Sequence, residues 1–354
     1  MAKIKINSLD IQVGKETVVS SAIFSLDDNQ VSTLTGDEKS GIFEVSQCIT
    51  GYLPHSAGTI LAGEDEIQGL APSKRKVVRI SKDWALFPHL TVKQNLEMGL
   101  TLKKMKSDEI QEISKQYLSN LQLTEKSAMF PDVLSIENQF KLALARAAII
   151  EPNLIILEEA LGPYDFQTRQ KLVKIASEVK KQFSLTLLFV TKFPIDVLGI
   201  SDRLIVMHKG FIEQSGDAQD VYEAPATPIV AKATGEINSI NAQVMMSGDF
   251  TMFSTKLGGF NLKSPNKLRM ESQVELLIRP EQTKIVALGN TADARNIFSA
   301  KIKSIQYMAG FQYVHLETDD TKPFISIQNQ DNSFKVDDDI DVILMRDEYP
   351  IIKK

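Results

Sequence analysis

The pattern of apolar and polar positions divides the chain into two parts with different predicted secondary structure. In roughly the first 235 residues, short apolar runs alternate with amphipathic segments of helical period. The run at 153–157 is almost wholly apolar, which is typical of a parallel strand covered on both faces. The alternation predicts a layered α/β domain with right-handed crossovers. Predicted strands cover residues 31–35, 77–80, 154–157, 187–191 and 204–207, and predicted helices cover 107–123, 135–150 and 167–182.

Two other regions show strand patterns of a different kind. The opening 30 residues or so alternate with period two, which predicts antiparallel strands. After residue 236 short strands follow one another with Gly and Asp/Asn turns between them and no long helical pattern. This part is predicted to be an all-β domain, a small barrel or a sandwich. The predicted domains are therefore 1–236 and 237–354, and the strands of the second cover residues 273–278, 298–306, 312–317, 324–328 and 340–344.

The net charge and the cysteine content indicate which partners the protein can bind and in which cellular compartment it functions. The net charge of −5 gives no long-range attraction for nucleic acid. The basic clusters at 74–76 and 103–106 are interpreted as solvated surface. Cys48, the sole cysteine, cannot form an intrachain disulfide, and with four scattered histidines it offers no metal site. These features predict a protein of the reducing cytosol that binds no nucleic acid.

The chain shows no segment that predicts export or membrane insertion. The first residues alternate charged and apolar side chains and lack the apolar run of a signal peptide. No apolar stretch reaches the roughly 18 residues needed to span a bilayer. The chain is therefore expected not to cross a membrane itself.

A predicted strand that ends in a glycine loop and opens a helix suggests phosphate binding. Gly36 and Gly41 have the spacing of a P-loop, in which backbone N–H groups surround a phosphate. Such a loop continues with a lysine that reaches the phosphates and a hydroxyl that binds Mg²⁺. Here those two positions hold Ile42 and Phe43. A shifted register that uses Lys39 and Ser40 fails because it lacks both glycines. Taken alone, the segment is also compatible with an ordinary strand–turn–helix whose loop carries two carboxylates, Asp37 and Glu38.

Several longer segments resemble the ATP-binding subunits of ABC importers, in consistent order along the whole chain. Residues 84–92 (WALFPHLTV) are similar to a YALFPHLTV stretch of that family, and residues 152–159 (PNLIILEE) to its Walker B strand. Residues 142–147 resemble the helix after the family's signature motif, and 202–216 the segment that closes its nucleotide-binding domain. Residues 225–228 and 277–281 resemble parts of the subfamily with a C-terminal regulatory domain, the maltose, sulfate, molybdate and spermidine type. The resemblance implies an ABC-type P-loop NTPase domain followed by a small OB-like barrel.

The resemblance also implies ATP and Mg²⁺ as cofactors, but several site positions depart from the family pattern. The signature LSGGQ corresponds to residues 134–138, where Ser135 is kept while Ile136 adds bulk and Glu137 adds negative charge. Ser135 is equally interpreted as a helix N-cap. Lys82 stands in place of the glutamine beside Mg²⁺, and Lys192 in place of the switch histidine. Nucleotide binding is therefore expected to be weak or absent.

Three acidic positions match the family more closely. Glu158 takes the place of the Walker B aspartate, Glu159 that of the general base, and Asp165 ends the D-loop. Both glutamates are expected at the carboxyl end of a buried strand, where such sheets place ligands. The alternative is that these acids are merely solvated at the edge of the sheet. Trp84 is expected beside Lys82, near the nucleotide pocket.

Three functions follow from the resemblance. The first is a catalytically degenerate subunit that docks on a permease or on another ATP-binding subunit, as homodimer or heterodimer, and acts as scaffold or regulator at the cytoplasmic face of the membrane. The second is a working or slow ATPase that energises uptake of a small solute. The third is a free-standing ligand sensor that uses the C-terminal domain. Residues 87–92 are expected to lie near the groove that receives a helix of the membrane subunit.

Overall fold

The computed structural model describes residues 3–264, 267–291, 294–308, 310–320, 322–329 and 334–353. By its internal contacts the chain divides into two compact units, Met1–Val221 and Tyr222–Lys354. The predicted domain boundary after residue 236 stays a prediction.

The first unit is an α/β structure, and its elements agree with the predicted ones to within a few residues. The helix predicted over residues 107–123 ends three residues early, at Asn120, and Gln122 just beyond it has left-handed backbone (φ 58°), which does not continue a helix. The strands are β1 (Ile4–Val13), β2 (Glu16–Leu26), β3 (Val31–Gly36), β4 (Ala57–Ala62), β5 (Asp65–Glu66), β6 (Val77–Ile80), β7 (Leu154–Glu158), β8 (Leu187–Val190), β9 (Arg203–His208) and β10 (Phe211–Asp217). The helices are α1 (Ile42–Thr50), α2 (Val92–Leu102), α3 (Ser107–Asn120), α4 (Ile136–Ala148), α5 (Phe166–Phe183) and α6 (Ala218–Glu223), the last of which contains the division between the units.

The central sheet of the first unit has the strand order β10-β9-β3-β8-β7-β6 and is parallel except for β10. Alternate residues of β7 enter two different apolar cores. Ile155 and Leu157 join the core that contains side chains of α2 to α5, whereas Leu154 and Ile156 join the core with α1, β1 and β2. The prediction of a strand covered on both faces is confirmed. The predicted antiparallel strands at the N-terminus are likewise confirmed in the sheet β2-β1-β4-β5.

The basic cluster at 74–76 is only partly the solvated surface that was predicted. Lys74 and Lys76 are exposed, but Arg75 is buried. Its guanidinium donates to the carbonyls of Cys48 and Ile49 in α1, at 2.7 and 3.1 Å. The prediction was wrong for Arg75 because a helix C-terminus offers unpaired carbonyls to which a buried guanidinium can donate.

The second unit is dominated by β-strands in its described residues. It contains the strand orders β13-β12-β11-β14-β20 and β15-β19-β16-β17-β18, and the inner faces of the two sheets share one apolar core. Its elements are α7 (Pro228–Thr234), β11 (Asn238–Met246), β12 (Phe250–Thr255), β13 (Gly258–Lys263), β14 (Gln273–Ile278), β15 (Thr283–Ala287), β16 (Ile297–Met308), β17 (Phe311–Glu317), β18 (Phe324–Asn329), β19 (Asp339–Leu344) and β20 (Ile351–Lys353).

Candidate functional site

The carboxyl ends of the central strands bring most of the sequence-predicted site residues together. β7 and β8 run side by side with Glu158 in register with Val190. The N–H of Thr191 donates to the carbonyl of Leu34 in β3 at 3.1 Å. The P-loop, the two glutamates and Lys192 therefore meet at one edge of the sheet, where parallel sheets place their ligands.

The P-loop has a backbone path that only its two glycines allow. Gly41 has a φ of 86°, and a Cβ there would lie 2.6 Å from the side chain of Val19. A Cβ on Gly36 would lie 2.4 Å from the carbonyl oxygen of Met207. The loop thus folds as a close strand-to-helix turn because these two positions lack side chains.

The loop is closed by hydrogen bonds to its own oxygens. Ser40 is buried, and both its N–H and its hydroxyl donate to the carbonyl of Asp37, at 3.2 and 2.5 Å. The N–H of Lys39 donates to the Asp37 carboxylate at 3.2 Å, and the ring of His208 lies 2.6 Å from the other oxygen of that carboxylate. Two backbone donors that a P-loop would offer to a phosphate are therefore engaged inside the loop.

The residues at the lysine and hydroxyl positions of the motif are apolar. Ile42 is 1% exposed and belongs to the apolar core beneath the loop. Phe43 is half-buried, and the ammonium of Lys192 lies 5.9 Å from its ring centre. The same ammonium lies 3.3 Å from a carboxylate oxygen of Glu38. Lys192, which approaches the loop from just beyond β8, is therefore paired with an acidic residue of the loop.

Glu158 is held in a mostly buried ion pair. Its side chain is 14% exposed, and Nη1 of Arg79 lies 3.0 and 3.3 Å from its two oxygens. The hydroxyl of Ser46, in α1, donates to Oε2 at 2.5 Å. The interpretation of Glu158 as an acid solvated at the sheet edge was wrong. Sequence reasoning missed Arg79, although a charged residue inside the otherwise apolar strand β6 was a signal for a buried partner.

Glu159 is the residue that directly follows β7. It has left-handed backbone (φ 47°), and its carboxylate accepts the backbone N–H of Lys192 at 2.8 Å. It lines a cavity of about 260 Å³ whose other walls are mostly apolar. The walls include Leu157, Phe189 and Phe193. Of the two glutamates, Glu159 is the one that faces open space.

Lys82 and Trp84 differ in their exposure to solvent. Lys82 is exposed, whereas Trp84 is 2% exposed and lies in the apolar core. The indole Nε1 of Trp84 donates to the carbonyl of Ala160 at 2.9 Å, and its ring stacks on Tyr164. The ring of Trp84 is thus covered by the core, and its place near the nucleotide pocket stays a prediction.

The signature and D-loop residues lie at the beginnings of two helices. Ser135 is the N-cap of α4, with the N–H of Asn138 3.4 Å from its hydroxyl. Asp165 is the N-cap of α5, and its hydrogen bonds from the hydroxyl and N–H of Thr168 keep the pKa of its carboxyl below the usual value. Both side chains therefore act as helix caps in this structure.

The two other signature positions face outward. Ile136 is partly exposed at the first turn of α4. Glu137 lies 3.7 Å from Lys171 of α5. The pKa of Glu137 lies below its usual value, chiefly because backbone N–H of its own residue bonds the carboxylate. Within the described part of the chain, no group of three or more His, Cys, Asp or Glu side chains is arranged to hold a metal ion.

The loop that contains residues 87–92 is held by two polar side chains, of which Asn95 is buried and Arg146 is partly buried. Asn95 is fully buried, accepts the N–H of Phe87 at 2.9 Å and donates to three carbonyls of the loop. Arg146 donates to the carbonyl of Trp84 at 3.1 Å, and its guanidinium lies 4.8 Å from the ring centre of Phe87. Burial lowers the pKa of Arg146. The backbone of the loop is thus held by hydrogen bonds from side chains beneath it, and its exposed side chains include His89.

No helix among the described residues combines the length and apolar character needed to cross a bilayer.

Comparison with known proteins identifies the family of this chain. The profile of the ABC transporter family matches residues 19–162, and that of the TOBE domain matches residues 276–347. The spermidine/putrescine import ATP-binding protein PotA of Hahella chejuensis is 30% identical over 294 residues, which cover 82% of this chain and 80% of that protein. The protein of the same name from Nitrosomonas europaea is 28% identical over 321 residues, which cover 90% and 89%.

Solved structures show the same fold for the first part of the chain. The ADP conformation of MJ1267, an ATP-binding cassette of an ABC transporter, superposes with a TM-score of 0.58 at 19% identity and covers 66% of this chain and 98% of that one. A likeness at this identity speaks for the fold alone. Together with the family profiles it confirms the predicted architecture, an ABC-type α/β domain followed by an all-β OB-like domain.

Proposed function

Because this chain belongs to the family of ABC-importer ATP-binding subunits with a C-terminal OB-like domain, we propose that it docks on the transmembrane subunits of an importer and serves there as scaffold or regulator, without efficient ATP turnover. Its place is then the cytoplasmic face of the membrane. The observation that carries the proposal is that the acidic side chains around the P-loop are bonded within the protein. They are Asp37 to His208, Glu38 to Lys192, Glu158 to Arg79 and Ser46, and Glu159 to a backbone N–H.

A triphosphate needs positive charge and free donors, and this loop offers few of either. Lys192 is already paired with Glu38, and the N–H groups of Lys39 and Ser40 are bonded inside the loop. Ile42 places a buried apolar side chain where the motif has a lysine. Phosphoryl transfer depends on positioning and electrostatic stabilisation, and loss of one preorganised donor typically slows such steps by ~10²–10³. ATP and Mg²⁺ are therefore proposed to bind weakly or not at all.

The docking part of the proposal rests on the loop at 87–92. Asn95 and Arg146 hold its backbone with partly buried hydrogen bonds, so that little entropy is lost when the outer side chains bind a partner. Exposed Pro88 and His89 are the side chains available at the tip. The partner is proposed to be a cytoplasmic helix of a permease subunit, and a second ATP-binding subunit, of this chain or another, completes the complex. The named relatives import spermidine and putrescine, so polyamines are the first solutes to test.

A working ATPase is the second candidate, and Glu159 is the observation that favours it. Its carboxylate lies at the strand end, faces the cavity and holds the position of the family's general base. A ligand sensor is the third candidate, and the observation that favours it is a cavity of about 490 Å³ in the second unit, whose lining includes basic side chains such as Arg346 and acidic ones such as Glu348.

The test is co-purification of the full chain with candidate importer permease subunits from the same organism, followed by phosphate release from the complex with Mg-ATP. The proposal expects a stable complex with phosphate release at the level of a Glu159→Gln control. His89→Ala is expected to weaken the complex. Steady phosphate release that the Glu159→Gln variant abolishes would establish the ATPase instead, and a chain that binds no permease would point to the sensor.

A further inference from the structure

The family's Mg²⁺ site and the residues of this chain do not fit each other around Glu158. The position that supplies a hydroxyl ligand holds Phe43, and the glutamine position holds Lys82, a cation. The remaining acid, Glu158, already has a positive partner in Arg79 at 3.0 Å. A divalent cation would have to displace that guanidinium or lie beside it, and both are unfavourable in a mostly buried place.

We propose that Arg79 is a built-in replacement for the divalent metal, so that the first unit carries its cation permanently and does not respond to Mg²⁺. The inference rests on the proposed function in so far as both assume that this is the former metal site. The inference goes beyond the proposed function because it assigns to Arg79, which belongs to none of the motifs, the role of the permanent cation at this site.

Strand register explains how Arg79 reaches the acid. Arg79 is in register with Ile156 of the neighbouring parallel strand, and Glu158 is two residues beyond Ile156 on the same face. That face is covered by α1, from which Ser46 reaches the second carboxylate oxygen. The ion pair thus connects β6 with β7, and the hydrogen bond from Ser46 connects the same carboxylate with the helix that begins at the P-loop.

The environment favours a permanent guanidinium over an exchangeable ion. Both carboxylate oxygens are contacted, Oε1 by Arg79 and Oε2 by Arg79 and the fully buried Ser46. On its outer side the guanidinium lies 5.2 Å from the ring centre of Tyr52, a cation–π contact that covers it further.

The experiment compares metal binding by the full-length wild type and by Arg79→Met, which keeps the length of the side chain but removes its charge. Mn²⁺ serves as the probe, measured by electron paramagnetic resonance and by the shift in melting temperature relative to EDTA. The wild type is expected to show no metal-dependent shift. Arg79→Met is expected to melt lower in EDTA, to be restabilised by Mn²⁺ and to bind it at least about tenfold more tightly than the wild type, which corresponds to about 1.4 kcal/mol.

Two further variants serve as controls. Arg79→Lys keeps a cation and is expected to behave as the wild type, whereas Arg79→Met combined with Glu158→Gln has no charge left to neutralise and should fold without a metal response. If Arg79→Met folds only when Mn²⁺ is present, the inference is supported. It is overturned if that variant ignores Mn²⁺, if it fails to fold even with Mn²⁺ while the double variant folds, or if the wild type binds Mn²⁺ through Glu158. Phosphate release by the wild type that is unchanged in EDTA, by contrast, overturns only the proposed function.

Discussion

Arg75 donates a hydrogen bond from Nη1 to the carbonyl of Cys48 at 2.7 Å, and in this way a buried arginine closes the carboxyl end of the helix that begins at the P-loop. The same guanidinium donates to the carbonyls of Ile49, Leu70 and Gln68. It approaches so closely that a Cβ on Gly51 would lie 2.7 Å from its Nε. Burial lowers the pKa of Arg75, but its carbonyl partners keep the charged form satisfied.

Arg75→Ala is predicted to destabilise the first unit strongly. The substitution leaves several buried carbonyls without a donor, and each such group costs about 1–3 kcal/mol. We expect a loss of more than about 2 kcal/mol in the free energy of unfolding, measured in urea by the fluorescence of Trp84, the only tryptophan. Lys74→Ala, at the exposed neighbouring position, should stay within about 0.5 kcal/mol of the wild type. Equal effects of the two substitutions would contradict the capping role.

The thiol of Cys48 is predicted to be unreactive in the folded protein. Burial raises its pKa to about 11, and the nearby Arg75 opposes that rise only partly. Because the pKa in the folded protein lies above the ordinary value of 9.0, the contribution of this thiol to stability is complete below pH 9.0 and is lost as the pH rises through about 11. A disulfide reagent at pH 8 should label Cys48 only at the rate of unfolding. Ser73→Cys in a Cys48→Ala background, an exposed thiol, should react at once; equally fast labelling of Cys48 would refute the prediction.

The second unit is predicted to lose stability at high pH through Tyr222. Burial and a hydrogen bond from its hydroxyl to Glu281, at 2.6 Å, raise its pKa to about 12 from 10.0. Its stabilising contribution is therefore complete below pH 10.0 and is lost as the pH rises through about 12. Tyrosine absorbance should show that Tyr222→Phe removes a late-ionising group. If the variant instead removes one that ionises near pH 10.0, the assignment is wrong.

Loop rigidity is predicted to matter for docking separately from the contact itself. Asn95→Ala removes a buried amide that bonds three carbonyls, so both the stability of the first unit and the affinity for the permease should fall. His89→Ala changes an exposed side chain and should lower the affinity alone. Melting curves and permease pull-down of the two variants separate these effects. Normal docking by folded Asn95→Ala would show that rigidity of the loop is dispensable.

The sequence was sufficient to predict the helices and strands whose buried faces produce a periodic pattern of apolar residues. The apolar run of β7 and the amphipathic pattern of α5 were found within a residue or two, because alternation and helical period report directly which faces are covered. Helix α2 was missed although Thr91 and Gln94 form a capping box, a signal that the chain contains.

Polar partners inside the fold could not be predicted in the same way. Arg79, Ser46 and Glu158 are far apart along the chain, and their pairing depends on strand register and on the position of α1 over the sheet. The buried indole of Trp84 likewise donates to the carbonyl of Ala160, a partner that is distant in the sequence. A motif identifies the positions in such cases, while packing decides which groups each side chain contacts.

The most direct test of the account is calorimetric titration of ATP into the purified wild-type chain, once with Mg²⁺ and once with EDTA. Since the acids and donors around the P-loop are already bonded within the protein, we predict no saturable binding up to millimolar ATP and no effect of Mg²⁺. Saturable, Mg²⁺-dependent binding with a Kd in the micromolar range would contradict the central claim.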